Sequence, residues 1–148
     1  RKMYPDADIP VLQLSIDYTK PPQFHYELAK ELASLRKKGV LILGSGNMVH
    51  NLRMVNWSMM GKEGGGYDWA ITMNDKFKSF ITSGDHTSLI NYDKLGRDAA
   101  LAIPTPEHYL PLLYTLGLQD KKDEVSFFND KAIGGSLTMT SVKISRSN

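Results

Sequence analysis

Two short apolar runs, Ile9 to Ile16 and Val40 to Leu43, flank one amphipathic stretch, and this order restricts the fold more than any other feature of the chain. Each run has the length and bounding residues of a buried strand. Between them, Pro21 and Pro22 open a helix in which Phe24, Leu28, Leu32 and Leu35 recur three or four residues apart, and Gly39 stops it. Strand, helix, strand in so short a span is a βαβ unit, with parallel strands and a right-handed crossover. The expected class is therefore α/β, a mostly parallel sheet flanked by helices. With 148 residues, a single domain is expected over 1–148.

Further along, Gly61 to Gly66 reads as a surface loop, and Trp69, Met73, Phe77 and Phe80 have the spacing of a second helix. A short helix is expected near Ser88 to Leu95, with a loop through Gly96 to Ile103. Thr105 is expected to cap a helix that starts at Pro106 and ends at Gly117, with Pro111 as a kink. Glu124 to Phe128 and Leu137 to Ile144 read as strands, the latter broken by a bulge near Ser141. The opening "RKMYPDADIP" reads as though the chain enters in mid-domain, so residues upstream are expected.

Composition narrows the chemistry. There are 18 Lys and Arg against 16 Asp and Glu, scattered apart from a short cluster at Arg36 to Lys38, so no stripe exists to track a nucleic-acid backbone. The absence of cysteine removes disulfides and thiolate sites, leaves His, Asp and Glu as metal ligands, and fits a cytoplasmic location. No apolar window is long enough to span a membrane, and the first residues lack a signal-peptide core.

The stretch "GVLILGSGNMVHNLR", Gly39 to Arg53, raises the functional question. As a dinucleotide loop it is incomplete: Val49 stands where the third glycine belongs, and Asp68 follows a glycine loop rather than a second strand. No Walker lysine follows either. The other reading centres on His50, just past the carboxyl end of an expected parallel strand, where open α/β sheets place ligands. Small residues Gly44, Ser45 and Gly46 let another group approach. His108, in the first turn of the Thr105-capped helix, faces a positive dipole end that favours a neutral, metal-competent ring. The two histidines can meet at one sheet edge, although residue spacing alone leaves two unrelated structural histidines as an alternative. His25 reads as a packing or surface residue and His86 as a solvated loop residue, with a pocket wall as its alternative. Trp57 and Trp69 read as packing residues.

The strings "MYPDADIPVLQLSID", "GSGNMVHNLR", "PTPEHYLPLLY" and "GSLTMTSVKI" together resemble the C-terminal half of the 4,5-DOPA extradiol dioxygenase family, of the class III extradiol ring-cleaving dioxygenases. The stretch from Gly61 to Ala102 carries little of the resemblance. What it implies is extradiol cleavage of a catechol such as DOPA by molecular oxygen at one mononuclear Fe(II) or Zn(II) site. It implies His108 as a metal ligand and His50 beside the metal, as acid/base or additional ligand, with Glu107 ranked second as a carboxylate ligand. The glycine loop is then expected to leave room for the aromatic ring. Nothing here resembles the family's N-terminal half, which is expected to supply the further metal ligands. Two other readings stay open: a zinc-dependent hydrolase using the same histidines, and a noncatalytic fragment lacking the full metal site.

Overall fold

The computed structural model describes residues 4–62 and 64–146; Met3 and Glu63, which fall in two of the segments read above, lie outside them. Helix α1 spans Pro22–Glu31, with Pro22 in its first turn where a missing N–H costs nothing, and α2, Ala33–Arg36, follows after one intervening residue. The long α3, Asp68–Ser83, buries Ala70, Met73, Phe77 and Ile81 along one face, and of the expected stripe Met73 and Phe77 are buried while Trp69 and Phe80 pack partly buried at its edge. Next come α4, His86–Ile90, then α5, Arg97–Ala102, and α6, Leu110–Gly117. Short 3-10 turns cover Leu52–Met54, Trp57–Met59 and Tyr92–Leu95.

The core lies where α3, α5 and α6 meet, around Phe77, Leu110 and Leu113. Tyr109 is its pivot. Its fully buried ring packs 5.5 Å from Phe77 and 4.7 Å from Tyr92, centroid to centroid, and its hydroxyl donates to the Leu89 carbonyl. Against α6, α1 packs so closely that a Cβ at Gly117 would lie 2.6 Å from the Tyr26 carbonyl oxygen, so glycine is needed there for contact rather than for chain reversal.

Among the described residues the sheets are antiparallel and two-stranded. β1 (Asp123–Phe128) pairs with β4 (Ser141–Arg146), and β2 (Ala132–Ile133) pairs with β3 (Leu137–Thr138). Val125, Phe127, Val142 and Ile144 pack against the helical core. The molecule is thus a mixed helix and sheet fold, but the expected parallel sheet is not found among these residues. Segments 9–16 and 40–43 form no ladder, and most of their apolar side chains face outward, with Val11 75%, Leu12 96%, Leu41 65% and Leu43 65% exposed, whereas Ile16 and Ile42 pack against the core. A strand needs a neighbour to satisfy its backbone groups, and the described chain offers none.

Three local expectations also change. The loop read through Gly96 to Ile103 contains α5. The helix expected at Pro106 begins at Leu110, because the Thr105 hydroxyl donates to the Glu107 carboxylate and 105–109 closes as a turn through bonds from the Tyr109 and Leu110 N–H groups to the Pro106 carbonyl. Pro111 consequently falls in the first turn of α6, where its missing N–H has no kinking effect. The break near Ser141 is not a bulge but a change of partner: Met139 bonds to Lys131, after which the chain leaves β2 for β1.

Candidate metal centre and cleft

His50 is held by its backbone. Its N–H donates to the Ala102 carbonyl at 2.8 Å, the neighbouring Asn51 N–H to Ser136 at 3.0 Å, and the Thr138 N–H to Val49 at 3.1 Å. Asn51 also donates from its side chain to the Leu101 carbonyl, tying the segment to the end of α5. The residue is therefore sewn between a helix end and the β3 segment, and it is 4% exposed.

His108 arrives from the 105–109 turn, which the adjoining Tyr109 anchors in the core. The glycine loop sets the approach: a Cβ at Gly46 would collide with the His108 carbonyl, and one at Gly44 would lie 2.5 Å from the Pro111 carbonyl oxygen. Asn47 N–H further bonds to that same His108 carbonyl at 2.9 Å. The small residues do admit a close neighbour, as their size predicts. Yet the neighbour is the backbone of 108–111, so the space beside Gly44 and Gly46 is not left for an aromatic ring.

These constraints bring the two rings together, with centroids 4.8 Å apart and planes inclined at 41°. Neither ring nitrogen of His50 makes a well-formed hydrogen bond although both are buried; the Thr105 and Asn47 backbones interact with the ring only weakly and do not offset its burial. A buried polar atom left unpaired costs about 1–3 kcal/mol, and such atoms in a native fold call for an absent partner. Burial, and then repulsion from His108, lowers the His50 pKa below its ordinary value, keeping a neutral ring with a lone pair to offer a proton or a metal. The helix-dipole argument for His108 falls away, since the residue precedes α6.

His50 opens onto a cleft of about 210 Å³ that is also lined by Asn51, Leu52 and Arg53 on one stretch and by Pro104, Thr105 and Glu107 on the other. Burial raises the Glu107 pKa, but hydrogen bonds from its own N–H and Thr105, and the two nearby histidines, outweigh it and hold the carboxylate below its ordinary value. Asn51 and Arg53 were not singled out from the sequence; the available signal was their place directly after His50 in "HNLR". No three His, Cys, Asp or Glu groups cluster to hold a metal among the described residues. The donors present fit two imidazole positions of an iron or zinc site but not a complete one.

The other histidines are elsewhere. His25 is fully buried on α1, with Nδ1 3.1 Å from the Tyr114 hydroxyl, and is a packing residue. His86 is not solvated: its nitrogens lie 2.9 Å from the Tyr26 hydroxyl and 2.9 Å from Gln119 Oε1, joining α1, α4 and the end of α6. Trp69 stacks on Tyr67, whereas Trp57 is 78% exposed and is no core residue.

Two histidine rings thus meet beside a cleft, and comparison with known proteins gives relatives that are extradiol dioxygenases by name. The chain is 45% identical over 147 residues to "4,5-DOPA dioxygenase extradiol" of Escherichia coli (strain K12), covering 97% of the chain and 52% of that protein. It is 32% identical to the protein of the same name in Beta vulgaris, over 95% of the chain and 51% of that protein. A crystal structure described as uncharacterized protein JW3007 from Escherichia coli K12 superposes with a TM-score of 0.84 at 44% identity, covering 95% of the chain and 57% of that structure. No family model matches. The chain is thus a homologue of the 4,5-DOPA extradiol dioxygenase family, and it spans about half the length of the curated relatives it matches.

Proposed function

We propose that this chain carries the cleft half of a metal-dependent extradiol dioxygenase that opens the ring of a DOPA-type catechol with molecular oxygen. The observation that carries the reading is the meeting of His50 and His108, 4.8 Å between ring centroids with neither His50 nitrogen in a well-formed hydrogen bond, in a homologue of proteins so named. His108 holds the metal, Fe(II) in this reading and Zn(II) as the alternative. Two imidazoles are fewer than the three protein ligands that catalytic sites usually use, so the remaining ligands are assigned to the part of the relatives that this chain does not match. When bound, iron would supply the redox-active centre that the reaction of a diol with oxygen requires.

The chain's own contribution is proton handling. A catechol must lose its second hydroxyl proton near neutral pH, and a general base works best when its pKa lies near the working pH. His50, neutral through burial and the nearness of His108, takes that proton on a ring nitrogen and returns it as the ring opens. The buried backbone ties of Val49 to Asn51 hold the imidazole in place while it does so.

The expected parallel sheet belongs to the same proposal. Segments 9–16 and 40–43 expose apolar side chains such as Leu12 and Leu41 and belong to no sheet, and strand addition by the counterpart half would cover them. No helix among the described residues is long and apolar enough to cross a membrane; a cysteine-free chain suits the reducing cytoplasm, and we place the protein there.

The test is oxygen uptake and ring-opening absorbance by the full-length, Fe(II)-loaded protein with a panel of catechols. His50→Ala is expected to lower the ring-opening rate by about 10²–10⁴-fold. No uptake with any catechol, together with an inert His50→Ala change, rejects the reading. Hydrolysis of esters with zinc but not iron favours a hydrolase instead.

A further inference from the structure

Arg53 is unaccounted for by the reaction just described. It sits in the Leu52–Met54 turn, three residues after His50, and lines the same cleft. Its side chain is exposed and makes no ion pair or hydrogen bond among the described residues, in contrast to Arg36, which is engaged by both Asp123 and the Leu118 carbonyl. Glu107 lines that cleft too, with only the Thr105 hydroxyl as a side-chain partner. A cation and an anion thus share one small cavity without neutralising each other. A ligand that carries both charges would satisfy both groups at once.

We propose that Arg53 and Glu107 form the specificity site of the cleft, Arg53 receiving the carboxylate and Glu107 the ammonium of a catechol that bears an α-amino-acid tail. The inference rests on the ring-cleaving reading above and adds to it the part of the substrate distant from the diol. Guanidinium is suited to the task because its planar donors match a carboxylate in a bidentate fork. A purely apolar substituent would have no compensation for the water it displaces from Arg53 and Glu107.

The experiment compares Arg53→Gln with the unaltered full-length, Fe(II)-loaded protein on 3,4-dihydroxyphenylalanine and on dopamine, which lacks only the carboxylate. The ratio of kcat/KM for the two is expected to fall by about 10- to 100-fold in the variant, the scale of one lost hydrogen bond between charged groups. Glu107→Gln is expected to act on the other end, lowering selectivity for 3,4-dihydroxyphenylalanine over 3,4-dihydroxyphenylpropanoate, which lacks the ammonium. Equilibrium binding of 3,4-dihydroxyphenylpropanoate and 4-methylcatechol to the same proteins, followed by calorimetry, reads the Arg53 contact without turnover. Preferential binding of the carboxylate compound that disappears in Arg53→Gln supports the site even where no ring is opened, and then only the reaction assignment fails. An unchanged selectivity ratio, or equal binding of the two ligands before and after substitution, overturns the site and leaves the reaction assignment standing. Circular dichroism and Tm verify that the exposed substitution leaves the fold intact.

Discussion

His50 is buried without a well-formed hydrogen bond to either ring nitrogen, and that cost has a pH signature. In the metal-free protein its pKa lies below the ordinary 6.5, first through burial and then through the charge of His108. The unfolded chain therefore binds a proton that the folded chain refuses, so stability rises with pH up to about 6.5 and falls as the solution is acidified through the folded value. His108→Ala removes the second cause and leaves the first; ring-proton NMR titration is expected to show His50 moving upward without reaching 6.5. A downward or absent movement would show that the two rings are not electrostatically coupled in solution. Gly46 is the steric counterpart. Since its Cβ would overlap the His108 carbonyl, Gly46→Ala is expected to cost about 1–3 kcal/mol in denaturant unfolding, as overpacking typically does. The strings around His50 and His108 were enough to nominate the pair, but not to reveal what the glycines accommodate, because close backbone approach and an open ligand space use the same small residues.

At the level of elements, the join between α2 and β1 depends on one ion pair. Arg36 donates to both carboxylate oxygens of Asp123, at 2.6 and 3.1 Å, and the Asp123 side chain is fully shielded from solvent. The Arg36 hydrogen bond leads the causes that lower the Asp123 pKa from 3.8. Stability from this pair is fully present above the unfolded pKa of about 3.9 and is lost as pH falls through the lower folded value. Asp123→Asn is expected to cost about 2 kcal/mol at neutral pH, the scale of a hydrogen bond to a charged group, and to flatten this acidic limb of an unfolding curve; an unchanged limb would assign it to other carboxylates. The elements differ in how far local sequence declares them. Helix α3 was legible because Met73 and Phe77 repeat on one face. Helix α5 was not, since Asp98, Ala99 and Ala100 carry no strong apolar stripe and its burial comes from packing on α3. The start of α6 was misplaced because Thr105 spends its hydroxyl on Glu107, a choice between two local hydrogen bonds that residue type does not decide.

For the molecule as a whole, the contrast between its buried core and its exposed apolar segments sets the last expectation. The helices enclose a packed core, whereas Val11, Leu12, Leu14, Leu41 and Leu43 have 57% to 96% of their surface in water. The sequence reading of 9–16 and 40–43 as buried parallel strands rested on their apolar content, and burial of a strand is a property of its neighbours as much as of itself. Extended, apolar and unpaired segments are templates for another strand, so the isolated chain is expected to self-associate in a concentration-dependent way on gel filtration. Replacing Leu12 and Leu41 with lysine should suppress that association while shifting unfolding free energy by no more than about 0.5 kcal/mol per site, as surface changes do. If these segments are the seam to the part that the relatives have and this chain does not match, their amides should exchange rapidly in the isolated chain and slowly in the full-length protein, and the two lysine substitutions should cost the full-length protein stability that the isolated chain does not lose. Slow exchange in the isolated chain would mean that the segments already have partners within it, and the seam would then have to lie on another face.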